Sequence, residues 1–156
     1  MEFSGDDLAG VVDMFGGLGD EALAGALAEL AFKHGEEHDP SAFENDIEAA
    51  RAAYELVELD TAEGRVLVAG PAAFPTLPEE ASDLKHILDA DERTIDREQA
   101  GAAAADKLHS EAVSAISDGD RAEMRRLIDL SYDIEAWAPV DLSETRARLD
   151  DELDDE

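Results

Sequence analysis

Leu56-Val57-Glu58-Leu59-Asp60-Thr61-Ala62-Glu63-Gly64-Arg65-Val66-Leu67-Val68-Ala69 is the stretch on which the fold turns. Two β-prone runs, rich in branched aliphatics, flank turn residues ending in a glycine, which is the pattern of a hairpin. Upstream the period is helical instead. Ser4 stands before Asp6 and Asp7 as a cap with acids in the first turn, and Leu8, Val11, Val12 and Phe15 recur at helical spacing until Gly16-Gly17. Asp20 caps a second helix with the stripe Leu23, Ala26, Leu27 and Leu30, and Gly35 falls where that helix should stop. Asp39-Pro40 reads as N-cap and first residue of a third helix, with Phe43, Ile47, Ala50 and Tyr54 facing inward. Three helices followed by a hairpin is the element order of a winged helix-turn-helix.

Downstream of the hairpin, Pro71, Pro75 and Pro78 interrupt regular structure, and Phe74 and Leu77 are the connector's buriable anchors, expected to pack it across the molecule. A short helical piece is expected around Leu84, Ile87 and Leu88. Thr94 can cap a long alanine-rich helix through Leu108, Val113 and Ile116, ended by Asp118-Gly119. Asp120 then starts a helix carrying Met124, Leu127, Ile128 and Leu130. A last helix from about Ser143 carries Leu149 and Leu153, and its acidic end should fray against the negative end of the helix dipole. The expected fold is therefore α+β and mainly α. It divides into a winged-helix-like unit over 1–70, a proline-rich connector with a short helix over 71–93, and a C-terminal helical unit with an acidic tail over 94–156.

Charge bounds the function. The 156 residues hold 41 acids against 12 bases, a formal net charge of −29. Both halves share it: residues 1–78 hold 17 acids and 3 bases, and residues 79–156 hold 24 and 9. Self-repulsion of this size weakens a compact state at ordinary ionic strength, and molar salt, with a Debye length of about 3 Å, removes most of it. Even acidity with only three lysines (Lys33, Lys85, Lys107) against nine arginines reads as a solubility adaptation to brine rather than a binding signal. Circular dichroism is accordingly expected to show helix loss as KCl falls well below molar, and an unchanged spectrum would count against the adaptation.

Cysteine is absent, which excludes disulfides and thiolate chemistry. No apolar run approaches the roughly 20 residues of a membrane span, and the N-terminus lacks the basic start and apolar stretch of a signal peptide, so the chain reads as cytoplasmic with no membrane partner.

Few motifs carry chemistry. His34-Gly35-Glu36-Glu37-His38 matches H-x-x-E-H, but zinc chemistry needs both histidines on one continuous helix. Gly35 and Asp39-Pro40 break that helix inside and after the motif, so His34 and His38 are weak metal candidates and no cofactor is expected. Gly16-Gly17-Leu18-Gly19 lacks dinucleotide spacing, no G-x-S-x-G or phosphate loop occurs, and Asp89-Ala90-Asp91-Glu92 lacks the glycine of a calcium loop. A DNA-binding regulator of winged-helix type would use Ser41, Asn45 and Arg51 on the third helix and Arg65 on the wing. Glu44, Asp46 and Glu48 share that helix face, and phosphate neutralisation, on which affinity mainly rests, then has too few cations. The densest basic group is Arg121, Arg125 and Arg126, with Tyr132 and Trp137 just downstream. Arginines beside aromatics fit a contact surface for a protein partner, and internal pairing with nearby acids is the plainer role.

The segments Leu27–Lys33, Gly70–Pro78 and Ser131–Val140 resemble an uncharacterised family of small acidic haloarchaeal proteins, classed as a domain of unknown function. The resemblance runs over nearly the whole chain, supports the salt-adapted reading and implies no activity. The expectation is a non-enzymatic protein-interaction or regulatory module of unknown partner, with DNA regulation second and metal-dependent hydrolysis third.

Overall fold

Ser4 opens the first helix, α1 (Gly5–Phe15), with a capping box: its hydroxyl accepts from Asp7 N–H while the Asp7 carboxylate accepts from Ser4 N–H at 3.0 Å. A computed structural model describes residues 3–62, 64–77, 81, 84 and 95–154. The chain is α+β and mainly helical. It falls into two compact units, Met1–Ile95 and Asp96–Glu156.

In the first unit α1 is followed by α2 (Asp20–Lys33), a 3-10 turn (Pro40–Phe43), α3 (Glu44–Ala52), and the strands β1 (Leu56–Thr61) and β2 (Gly64–Ala69). Gly19 rather than Asp20 holds the N-cap of α2, so Asp20 acts there through the helix dipole alone. The third helix begins as predicted at Asp39-Pro40 but as a 3-10 turn, with no side-chain bond from Asp39. α2 ends in a Schellman motif: Glu36 N–H reaches Ala31 O and Gly35 N–H reaches Phe32 O, with Gly35 at φ +84. α3 ends the same way through Glu55 N–H to Ala50 O, but there the left-handed position is Tyr54 at φ 62. A fully buried ring keeps the tyrosine in a conformation that otherwise favours glycine.

The hairpin pairs antiparallel from Leu56↔Ala69 to Thr61↔Gly64. Leu18, in the link between α1 and α2, adds a bridge to Leu67 through bonds of 3.0 and 2.7 Å. The first helical pair is thus tied directly to the sheet. Leu8, Val11, Val12 and Phe15 of α1 meet Leu23, Leu27 and Leu30 of α2, Phe43 and Ile47, and Leu56 and Leu67 of the hairpin, with Ala81 and Leu84 in the same core. Both faces of the hairpin are buried, since Val57, Leu59, Val66 and Val68 share the other side.

The connector corrects an expectation. Phe74 and Leu77 are 79% and 57% exposed and anchor nothing. The backbone does the holding: Phe74 N–H donates to Asp6 Oδ1 at 2.9 Å, Thr76 N–H to Asp6 O at 3.1 Å, and the Thr76 hydroxyl to Asp7 Oδ1 at 2.9 Å. Gly10 lets the main chain lie so close to α1 that the two bulky side chains turn outward. Pro78, Ile87, Leu88 and Thr94 lie outside the described residues.

Glu55 is tucked over Gly5 beside Asp6, and burial first, then the Asp6 charge, hold its carboxyl above the ordinary 4.5. A raised folded value means that its stabilising proton is fully bound below the unfolded value and lost as pH climbs through the folded one. Glu55→Gln is therefore expected to raise the neutral-pH melting temperature and to flatten the stability change just above pH 4.5, measured by thermal melts in molar KCl. Equal melting profiles for the two proteins would contradict the placement.

The second unit is a three-helix bundle of α4 (Arg97–Asp118), α5 (Arg121–Trp137) and α6 (Ser143–Asp154). Asp96 caps α4. Gly119 closes α4 at φ 66, and Asp120 both bonds back to Ala115 O and caps α5 through Glu123 N–H. The buried side of α4 is small, with Ala100, Gly101, Ala104, Leu108, Ala112 and Ala115. Val113, expected on that face, is exposed. The α6 end is not left bare: Arg121 donates to Glu152 O at 3.3 Å and to Leu153 O, placing a cation at the negative end of the helix.

Candidate functional site

Arg51 and Arg65, on α3 and β2, share one carboxylate. Glu58 points from β1 to the α3 side of the hairpin, because strand residues alternate faces and its neighbours Val57 and Leu59 face the other way. Its Oε1 lies 2.8 Å from Arg65 Nε and its Oε2 contacts Arg51 Nη2. Glu48 holds the other Arg51 nitrogen at 3.1 Å, and Asp60 lies 3.4 Å from Arg65. Ser41 and Asn45 are exposed, as are Glu44, Asp46 and Glu48. The four residues named for DNA thus surround a surface whose arginines are already neutralised by carboxylates of the same unit.

Beside α3, a groove of about 570 Å³ runs between the start of α2 and the 3-10 turn. Ala24, Pro40 and Ile47 form its apolar lining, and Glu21, Glu44 and Glu48 are among the acids on its walls. Composition hides such a feature, because in a chain with 41 acids no particular carboxylate stands out.

In the second unit, the five residues of the basic-aromatic group divide between two flanks of α5. Arg121, Arg125, Ile128 and Tyr132 follow one stripe at i, i+4, i+7 and i+11, and Arg126 and Trp137 follow another about 140° round. On the second flank Arg126 pairs with Glu123 at 2.6 Å and Glu111 of α4 at 3.3 Å, while Trp137 lies under the Arg97 guanidinium, 4.6 Å from the ring centroid, and accepts at its carbonyl from Arg97 at 3.0 Å. On the first flank Arg121 caps α6, and Tyr132, 57% exposed, lies under Arg146 at 4.1 Å. Arg146 also donates to the buried Ser131 hydroxyl at 3.0 Å and to Glu135 at 2.8 Å. Glu135 further accepts from Leu142 N–H at 2.8 Å, and that bond first, then Arg146, holds its carboxyl below the usual range. Arg125 is exposed, with no bond found among the described residues. Nothing in the spacing marks Arg146 or Arg97 as partners of these rings, since both come from other helices.

α2 ends at Lys33, so His34 and His38 do not share a helix face. His38 stands 4.0 Å from Glu36 and edge-on to Phe43, and His34 Nε2 is buried with no hydrogen-bond partner among the described residues. Among the described residues no group of three His, Asp or Glu side chains is placed to hold a metal, and no helix is long and apolar enough to cross a membrane.

These elements define the class: a small, strongly acidic, mainly helical α+β protein of two units, with most of its described arginines committed to internal carboxylates and carbonyls. The chain belongs to a Family of unknown function (DUF7109), whose model matches residues 6–154. No curated protein and no solved structure matches it.

Proposed function

We propose that this chain is a non-enzymatic protein-interaction or regulatory module, built on a winged-helix-like N-terminal unit and working in a salt-rich cytoplasm. The observation that carries the reading is Glu58 held between Arg51 and Arg65. A nucleic-acid surface needs cations free to meet phosphates, and here a carboxylate of the same unit stands where a phosphate would. The contact surface of the second unit is the outward stripe of α5, where Arg125 and Tyr132 are offered to solvent at i, i+7. Trp137 and Arg126 support the bundle.

Affinity capture from a lysate in molar KCl tests this. A defined partner should be retained by wild type and lost from Arg125→Glu and Tyr132→Ala, with unchanged circular dichroism. Full retention by both variants would refute the surface.

DNA regulation is the second reading, and one observation favours it. The Leu18–Leu67 bridge ties the α1–α2 link to the hairpin, as the short first strand of winged helices does. Ser41, Asn45, Arg51 and Arg65 would then be the contacts, and the charge of their surroundings weighs against them.

A further inference from the structure

We propose that the α2–α3 groove is a docking site for a basic, amphipathic segment of a protein partner, a segment that presents one aliphatic side chain flanked by arginine or lysine. This goes beyond the α5 surface and stands or falls separately from it.

The groove sets its carboxylates round a concavity with an apolar floor that includes Ile47 and Pro40, whereas a smaller acidic hollow of about 250 Å³ in the second unit has Ala115 among Glu111, Asp118, Asp120 and Glu123. Carboxylates scattered over a convex surface hydrate and repel. Those on the walls of a concavity with low-dielectric walls reinforce one another's field where a cation would sit. Glu44 and Glu48 stand one turn apart on α3, an arrangement that costs helix stability, and line the same groove as Asp20 and Glu21 of α2. Among the described residues Arg51 is the one guanidinium in the lining, and it is turned to Glu48 and Glu58. The remaining charge in the groove is therefore negative, while Ala24, Pro40 and Ile47 supply an apolar base.

A volume near 570 Å³ lies within the ordinary range for binding pockets and suits a few side chains rather than a whole domain. An apolar side chain on the floor with cations at the rim satisfies both features at once. A purely polycationic ligand would leave the floor wet, and an acidic or nucleic-acid ligand would meet carboxylates. Molar salt, which screens exposed pairs beyond about 3 Å, spares apolar burial, so the floor gives the contact persistence in brine.

The test titrates a fluorescent peptide of alternating leucine and arginine into the full chain in 1 M KCl, followed by anisotropy and by amide chemical shifts. Saturable binding is expected, with shifts confined to residues 20–24 and 40–51, and a loss of at least tenfold in Glu21→Lys/Glu44→Lys. Both side chains are exposed, so the fold should survive, and Asp150→Lys/Asp151→Lys, with the same charge change on α6, should bind within about twofold of wild type. An equal loss in both double variants, shifts elsewhere, equal affinity for an oligolysine without leucine, a preference for duplex DNA, or no binding at 1 M KCl would each overturn the proposal. None of these results bears on the Arg125 and Tyr132 variants, which probe the other unit.

Discussion

Gly10→Ala is expected to lower stability by about 3 kcal/mol, a large effect for one methyl group. A Cβ built at Gly10 meets the Thr76 carbonyl oxygen at 1.7 Å and the Thr76 carbonyl carbon at 2.4 Å. These are backbone atoms, so no rotamer change relieves the clash, and the connector has to lift from α1. That movement breaks the bonds from Phe74 and Thr76 to Asp6 and Asp7 together. Hydrogen exchange offers a second readout, because the Phe74 and Thr76 amides should be protected in wild type and exchange freely in the variant. Gly25 supplies the control. It lies inside α2 with nothing within 4 Å of the point a Cβ would occupy, so Gly25→Ala should stabilise by about 0.5–1 kcal/mol through helix propensity alone. Similar destabilisation in both variants would remove the close-approach argument.

Arg146→Ala is expected to cost the second unit about 3 kcal/mol, and a midpoint lower by roughly 12–24 °C. Its side chain is only 14% exposed, and its guanidinium joins three groups: Glu135, the fully buried Ser131 and the face of Tyr132. Truncation leaves a buried hydroxyl with one partner fewer and a carboxylate with only Leu142 N–H. Arg146→Lys keeps the charge but loses the fork and the stacking, so it should recover only part of the loss. Glu135 sets the pH dependence. Its lowered folded value contributes stability above the ordinary 4.5 that disappears as pH falls below it, and Arg146→Ala should reduce this acid sensitivity. Thermal melts in molar KCl between about pH 3 and pH 7 measure both effects. An Arg146→Ala protein that melts with wild type would show that the network contributes little.

Where local chemistry decides, the sequence was readable. Ser4 with Asp7, Gly35, and Gly119 with Asp120 fixed helix ends that the structure keeps, because a cap is made by residues within five positions of one another. The change from helical period to a β-prone run at Leu56, with turn residues after it, located the hairpin for the same reason. Tertiary choices were less readable. Phe74 and Leu77 have the composition of anchors, yet a glycine 64 residues before Phe74 lets backbone take the contact instead. Val113 and the alanines of α4 fit a helical stripe equally well, and close packing selected the smaller side. The Arg121 to Trp137 group looked like one cluster in linear order. Helical geometry parts it, and the residues that decide the parting, Arg97 and Arg146, come from other helices. Glu58 gave no signal among so many acids, although it pairs with both Arg51 and Arg65.

On the reading proposed above the α3 and hairpin surface is closed to nucleic acid, and duplex-DNA binding followed by anisotropy from about 0.3 to 2 M KCl tests it most directly. The predicted result is no saturable binding at any salt concentration at which circular dichroism shows the chain folded. Binding that weakens with salt on a log–log slope near about −2 and vanishes in Arg51→Gln/Arg65→Gln would contradict it.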